Sequence, residues 1–267
     1  MADLPVDLAE EVTARLLRSF DLEGKIHRAL EALGPLGGRD VVLVDGAQGV
    51  RARQLAALGA RLTVLERPGR LARLKAALAG TAGVQVSAGR PAALGLPDSS
   101  ADAIVAYWTA FRAPSPAEVA EADRVLRPGG RLLVVHDYGR DDVSRIRGDL
   151  PEYSTWGRRD GWYLQNGFRM RVIHAFWTFA SLAEARSLLT DAFGEAGSRV
   201  ADTLKRPRLS YNVAIYHRSR PDRADDRAGG AGPVAIDSIE IDGLAAAPAA
   251  ADSVRPGSVD AIAGLSS

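Results

Sequence analysis

Residues 40–49 read Asp40-Val41-Val42-Leu43-Val44-Asp45-Gly46-Ala47-Gln48-Gly49. The first six form a short β-branched, apolar run, the pattern of a strand buried on both faces. The last four read as a tight turn. Val50 to Leu58 has helical character and stops at Gly59. The alternation continues downstream. Arg61 to Glu66 is expected as a second strand, Leu71 to Ala79 as a helix, Val84-Gln85-Val86 as a third strand and Asp102 to Tyr107 as a fourth. Ala117 to Leu126 reads as a helix broken by Pro128-Gly129-Gly130, and Arg131 to His136 as a fifth strand. Strands alternating with helices predict an α/β fold, a parallel sheet with helices on both faces. In such sheets ligands bind beyond the C-terminal strand ends, near the point where strand order reverses.

Upstream, Leu4 to Leu33 has helical spacing. Leu8, Val12, Leu16 and Leu17 share one face with Asp7 as cap, and a second helix runs from Gly24 to Leu33 and ends at Gly34-Pro35. Residues 1–38 are therefore read as an N-terminal helical cap on a domain spanning 39–218. Downstream of the fifth strand the pattern lapses. Residues 139–170 are polar and rich in Gly and Arg, with Tyr153, Trp156, Trp162 and Tyr163 among them. They read as part of a substrate-side insertion at about 139–180, with order returning at Met170 to Phe179. Ser181-Leu182-Ala183-Glu184 is a capping box opening a helix to about Phe193. Two final strands are expected near Ser198–Leu204 and Leu209–His217, paired antiparallel across the gap at Pro207.

Composition narrows the class. The 267 residues are 46% hydrophobic and 25% charged, enough to bury a sizeable core, and the formal net charge is +1. That balance gives no bulk attraction to nucleic acid or to an anionic membrane. Cysteine is absent, which excludes a disulfide framework, a thiolate nucleophile and a Cys-ligated metal. No signal peptide and no run of membrane-span length is recognised, so a cytoplasmic protein is expected. Residues 219–267 have no aromatic residue and carry four Arg against eight acids. Such a segment cannot bury enough apolar surface to offset the entropy of ordering, and is read as a disordered low-complexity tail.

The first strand, its turn and its helix suit an adenosine-bearing cofactor. Small residues allow close backbone approach, with N–H groups aimed at the ligand. Glu66 ends the second strand, 17 residues after Gly49. A carboxylate there can accept hydrogen bonds from both ribose hydroxyls. The four histidines, His27, His136, His174 and His217, show no ligand spacing, so no metal is expected. No nucleophile elbow and no phosphate-binding loop occur. The turn also looks like that of short-chain dehydrogenases. That family needs a glycine where Arg51 stands and a Tyr four residues before a Lys, which none of Lys25, Lys75 and Lys205 has.

Four segments together resemble the class I S-adenosylmethionine-dependent methyltransferases: residues 41–49, residues 61–66, Leu96-Pro97-Asp98-Ser99-Ser100-Ala101-Asp102-Ala103-Ile104-Val105, and residues 121–135 with Arg127-Pro128-Gly129-Gly130 before the fifth strand. The resemblance implies a Rossmann-like sheet of seven strands, mostly parallel, the last antiparallel. It implies S-adenosylmethionine as cofactor. The cofactor residues would be Asp45, Gly46, Ala47, Gly49, Glu66, Arg90, Tyr107 and Trp108. The turn departs from the family's acid and three alternate glycines. In one register Leu43 takes the acid's place and Asp45 and Ala47 those of two glycines. In the other Asp45 is the acid and the loop is two residues shorter. Arg90 stands where the family often has an Asp for the adenine amine, and Arg cannot accept that hydrogen bond.

Methyl transfer mainly requires a positioned nucleophile and a proton acceptor. His136 is the candidate base, with Tyr138 beside it. Tyr107 and Trp108 could stack on adenine or face the sulfonium. Trp156, Trp162 and His174 are the candidate substrate contacts, with a lid anchor or a homodimer contact as the other use of the insertion aromatics. The expectation is a methyltransferase acting on O or N of a small-molecule substrate. The alternative is a methyltransferase-fold protein that has lost the cofactor and serves as a binding or regulatory module.

Overall fold

The computed structural model describes residues 8–148, 150 and 152–221. The strand Asp40–Val44 (β1) is the third of a seven-stranded sheet. Its neighbours are Arg61–Glu66 (β2) and Ala101–Tyr107 (β4), both parallel to it. Val84–Ala88 (β3) lies outside β2, and Leu126–Asp137 (β5) lies beside β4. Arg208–Ser219 (β7) runs antiparallel against both β5 and Arg169–Thr178 (β6), so the order is β3-β2-β1-β4-β5-β7-β6. The Rossmann-like sheet with its last strand reversed is as expected. The identity of the sixth strand is not: Ser198–Leu204 falls almost wholly in a helix, and Met170–Phe179 supplies the strand.

The alternation of side chains divides the core into two layers. Val41 and Leu43, Val105 and Tyr107, and Leu133 and Val135 face one side. They meet Glu10–Ser19 (α1), Lys25–Leu33 (α2), Val50–Ala57 (α3), Pro68–Ala77 (α4) and Leu182–Thr203 (α8). Val42 and Val44, Ile104 and Ala106, and Leu132 and Val134 face the other, under Pro116–Val125 (α5) and Trp162–Gln165 (α7). Successive residues of a strand point to opposite faces, so near-continuous apolar strands are what two covered faces require.

Leu16 is buried, with Leu8, Val12 and Leu17 packed against the same core, so the helical face read in α1 is the one it buries. The expected cap Asp7 lies outside the described residues, and Ala9 precedes the helix without a side-chain cap. The expected tail is also outside them from residue 222 onward. In the insertion, Asp142–Arg147 forms a short helix (α6) capped by Asp141, and Glu152–Trp156 forms one π-helical turn. Among the described residues no helix is long and apolar enough to cross a membrane.

Candidate functional site

The turn after β1 keeps a glycine-like backbone at alternate positions. Asp45 has φ 63°, Ala47 φ 45° and Gly49 φ 79°. These three sites match the alternate glycines of the family, which selects the register with Leu43 in the acid's place. Gly46 is needed for another reason. A Cβ there would lie 2.4 Å from Val64 Cγ1 and 2.6 Å from Leu74 Cδ2, so the turn packs directly on β2 and α4.

Glu66 ends β2 and reaches this turn. One carboxylate oxygen accepts from the Ala47 N–H at 3.0 Å and the other from the Arg67 N–H at 2.9 Å. The residue is 0% exposed. Asp45 is buried as well, and its Oδ2 accepts from the Thr109 hydroxyl at 2.8 Å. Thr109 belongs to the loop after β4. In that loop Trp108, Phe111 and Ala113 all have positive φ, between 46° and 55°, a strained conformation for non-glycine residues.

Next to the turn, α3 delivers Arg51. Its guanidinium is buried 5.2 Å from the Phe20 ring centre and 5.3 Å from those of Tyr107 and Trp108, a cation within a cage of π-faces. Trp108 is held in turn by Asp137, to which its Nε1–H donates at 3.1 Å. Arg147 of α6 and the Tyr211 hydroxyl also donate to the buried Asp137 carboxylate. Burial pushes the Tyr211 phenol well above its ordinary pKa, and the neighbouring Asp137 adds to the shift.

The remaining candidates divide into separate groups. His136 is buried on the α5/α7 side of β5, 5.0 Å from the Trp156 ring and 6.3 Å from that of Tyr163. Burial, with the Arg112 charge nearby, lowers its pKa to about 3, so the imidazole is neutral. As placed, it is neither exposed to a substrate nor basic enough to remove a proton at neutral pH, against the expectation for it. Tyr138 is half-buried, with the Arg140 guanidinium 5.9 Å over its ring. Trp162 meets Tyr163 edge-on at 5.5 Å. His174 is on β6, exposed, its Nδ1 2.8 Å from Asn212 Oδ1. It is not among the aromatic residues around His136. Arg90 is exposed in a turn closed on Ala93.

Sequence reasoning therefore brought together Asp45, Ala47 and Glu66 in one place, and His136 with Trp156 in another. It missed Arg51 as the filling of the space beside the turn, and Phe20, Thr109, Arg147 and Tyr211 as partners of the candidates. Arg51 had a signal: a long cation two residues after the turn, where a small residue leaves room. The others come from distant segments and had none.

Residues 42–134 match the family model described as "Methyltransferase domain". Among solved structures, an S-adenosylmethionine-dependent methyltransferase from Aquifex aeolicus is similar in fold. It shares 18% identity over 78% of this chain and 96% of that one, with a TM-score of 0.50. The YcgJ protein from Bacillus subtilis shares 15% identity over 75% of this chain and 99% of that one, with a TM-score of 0.47. No curated protein sequence matches this chain. The match over 42–134 is to a methyltransferase domain, and the fold is similar to that of a methyltransferase.

Whether these residues fit S-adenosylmethionine is a question of chemistry and of space. The chemistry is partly retained in the Glu66 carboxylate, the turn N–H groups and the aromatic pair after β4. The space is not. Glu66 is fully buried with each oxygen on a backbone N–H, Asp45 is tied to Thr109, and Arg51 lies beneath three rings. The residues as arranged do not fit an adenosyl group.

Proposed function

We propose that this chain is a methyltransferase-family protein whose cofactor hollow is closed by its own side chains, and that it acts as a binding or regulatory module. One observation supports this above the others. The carboxylate that should receive the ribose hydroxyls is out of reach of solvent and engaged by Ala47 and Arg67. Each oxygen has room for a further donor, but a carboxylate this deeply buried meets a sugar only if the residues that cover it move away.

The second reading is a methyltransferase that uses S-adenosylmethionine to methylate O or N of a small molecule. The methyltransferase-domain match over 42–134 and the position of Glu66 against the turn at 45–49 favour it. It requires the strained loop after β4 to move away. Calorimetric titration of the full chain with S-adenosylmethionine and S-adenosylhomocysteine separates the two. The closed-hollow reading expects no heat of binding at millimolar cofactor. Micromolar binding, weakened at least tenfold by Glu66→Gln, would overturn it in favour of methyl transfer.

A further inference from the structure

His136 carries an unsatisfied atom. Its ring is 1% exposed, and its Nε2 has no hydrogen-bond partner. The other nitrogen, Nδ1, is therefore the one that meets the Phe111 carbonyl, an oxygen that also accepts from the Tyr163 hydroxyl. A carbonyl accepts only, so Nδ1 holds the proton and Nε2 presents a bare lone pair. Leaving such an acceptor buried and unpaired destabilises the fold. An apolar residue of similar shape would avoid that penalty.

Trp156 packs against the His136 imidazole and is itself buried. One side of it meets the His136 ring edge-on at 74°. It also lines an open crevice of about 330 Å³ with Thr155, Arg158, Asp160, Gly161 and Trp162. It ends the π-helical turn Glu152–Trp156, a backbone form found often at functional sites. Trp156 is thus the wall shared by a surface crevice and a buried acceptor.

We propose that crevice and imidazole are two ends of one ligand site, with the Trp156 ring as its movable wall, and that the ligand is a flat aromatic molecule bearing a hydroxyl that donates to His136 Nε2. The flat shape follows from the two indoles that line the crevice, Trp156 and Trp162, whose ring edges and faces are complementary to another ring. The hydroxyl follows from the lone pair. A carboxylate is disfavoured there, because it brings a second acceptor to an atom without a proton. The inference deepens the binding-module reading and rests on it for what the captured ligand is for. The site itself stands whether or not the cofactor hollow opens.

The test uses the full chain without cofactor. Phenol is titrated in, and toluene in a parallel sample, while the imidazole nitrogens of the four histidines are followed by long-range proton–nitrogen NMR. The expected result is a saturable shift of His136 Nε2 with phenol, with His27 and His217 unmoved. Toluene should bind about tenfold more weakly or not at all, the difference one hydrogen bond makes. Trp156→Phe, with a smaller ring to displace, should tighten phenol severalfold. Three results would each overturn the proposal. One is no saturable His136 shift up to the solubility of phenol in both wild type and Trp156→Phe. Another is equal affinity for phenol and toluene. The third is an Nε2 shift in the ligand-free protein already typical of a hydrogen-bonded acceptor, which would assign the site to resident water. Cofactor titration reads a different place, so either experiment can fail alone.

Discussion

Asp45, Ala47 and Gly49 share one backbone sense, and only the last is suited to it. A left-handed conformation costs a residue with a Cβ roughly 1–2 kcal/mol, with Asp among the more tolerant types. Ala47 has no side-chain hydrogen bond to offset that cost. Ala47→Gly should therefore raise stability by about 1 kcal/mol, less the added entropy of the unfolded chain, and urea unfolding would measure it. A loss of stability would mean that Ala47 is not held at positive φ. His136 supports a second prediction at this scale. Its folded pKa is about 3, below the ordinary 6.5 of the unfolded chain, so acid favours the unfolded state. The stability present above pH 6.5 is lost progressively as pH falls toward 3. The share of His136 in the slope approaches one proton, about 1.4 kcal/mol per pH unit, and His27, lowered to about 4 by burial, adds to it in the same direction. Asp21 and Asp141, whose pKa values burial raises, oppose this at more acid pH. Between pH 7 and 5.5, His136→Leu should remove a contribution to the pH dependence of unfolding that grows from about a quarter of a proton to about nine-tenths. An unchanged slope would show that His136 is not buried as the neutral form.

At the scale of elements, helix starts were well signalled. Ser181 caps α8 by accepting from the Glu184 N–H at 3.0 Å, as its spacing to Glu184 indicates. The Glu184 carboxylate returns to Ala180 N–H instead of the cap's own. The helix then runs past the expected end at Phe193 to Thr203, across a kink at Gly194 with φ 59° and ψ −138°. Gly194 and Gly197 lie between the expected helix end at Phe193 and the expected strand at Ser198–Leu204, and both fall inside the helix. In the fold Ala201 is buried and Val200 packs on the same core, so tertiary contact carries the helix through. Gly197 is where this is most exacting. A Cβ there would lie 2.0 Å from the Leu189 carbonyl oxygen. Gly197→Ala should destabilise the protein by roughly 1–3 kcal/mol through overpacking, seen as a lowered thermal midpoint. A neutral result would place the second half of α8 elsewhere.

Across the molecule, Asp137 is the point where distant segments meet. The Trp108 indole after β4, the Tyr211 hydroxyl on β7 and Arg147 on α6 all converge on its carboxylate at the end of β5. These groups are fixed by the sheet order that places β7 beside β5. Removing one partner of a buried ion pair leaves the other charge uncompensated, at a cost of about 3–5 kcal/mol. Arg147→Met should therefore unfold at much lower urea than wild type, and adding Asp137→Asn should recover a large part of the loss. Additive losses in the double variant would show that the two groups are independent.

The chain's own order of residues determined the architecture. Short apolar strands, helices between them, a glycine-bearing turn and Glu66 at a fixed spacing are local patterns, and local patterns survive without knowledge of neighbours. They indicated all five parallel strands, β1 and β2 nearly to the residue but β5 from Arg131 where it starts at Leu126, and brought Glu66 to the turn. They did not give the sixth strand or the length of α8, because those segments are amphipathic only toward partners far away in sequence. Nor did they reveal whether the hollow is open. Arg51, Trp108, Thr109 and Asp137 each look ordinary alone. Only packing decides that they fill one space, because burial depends on the positions of all neighbours at once and no residue carries that information by itself.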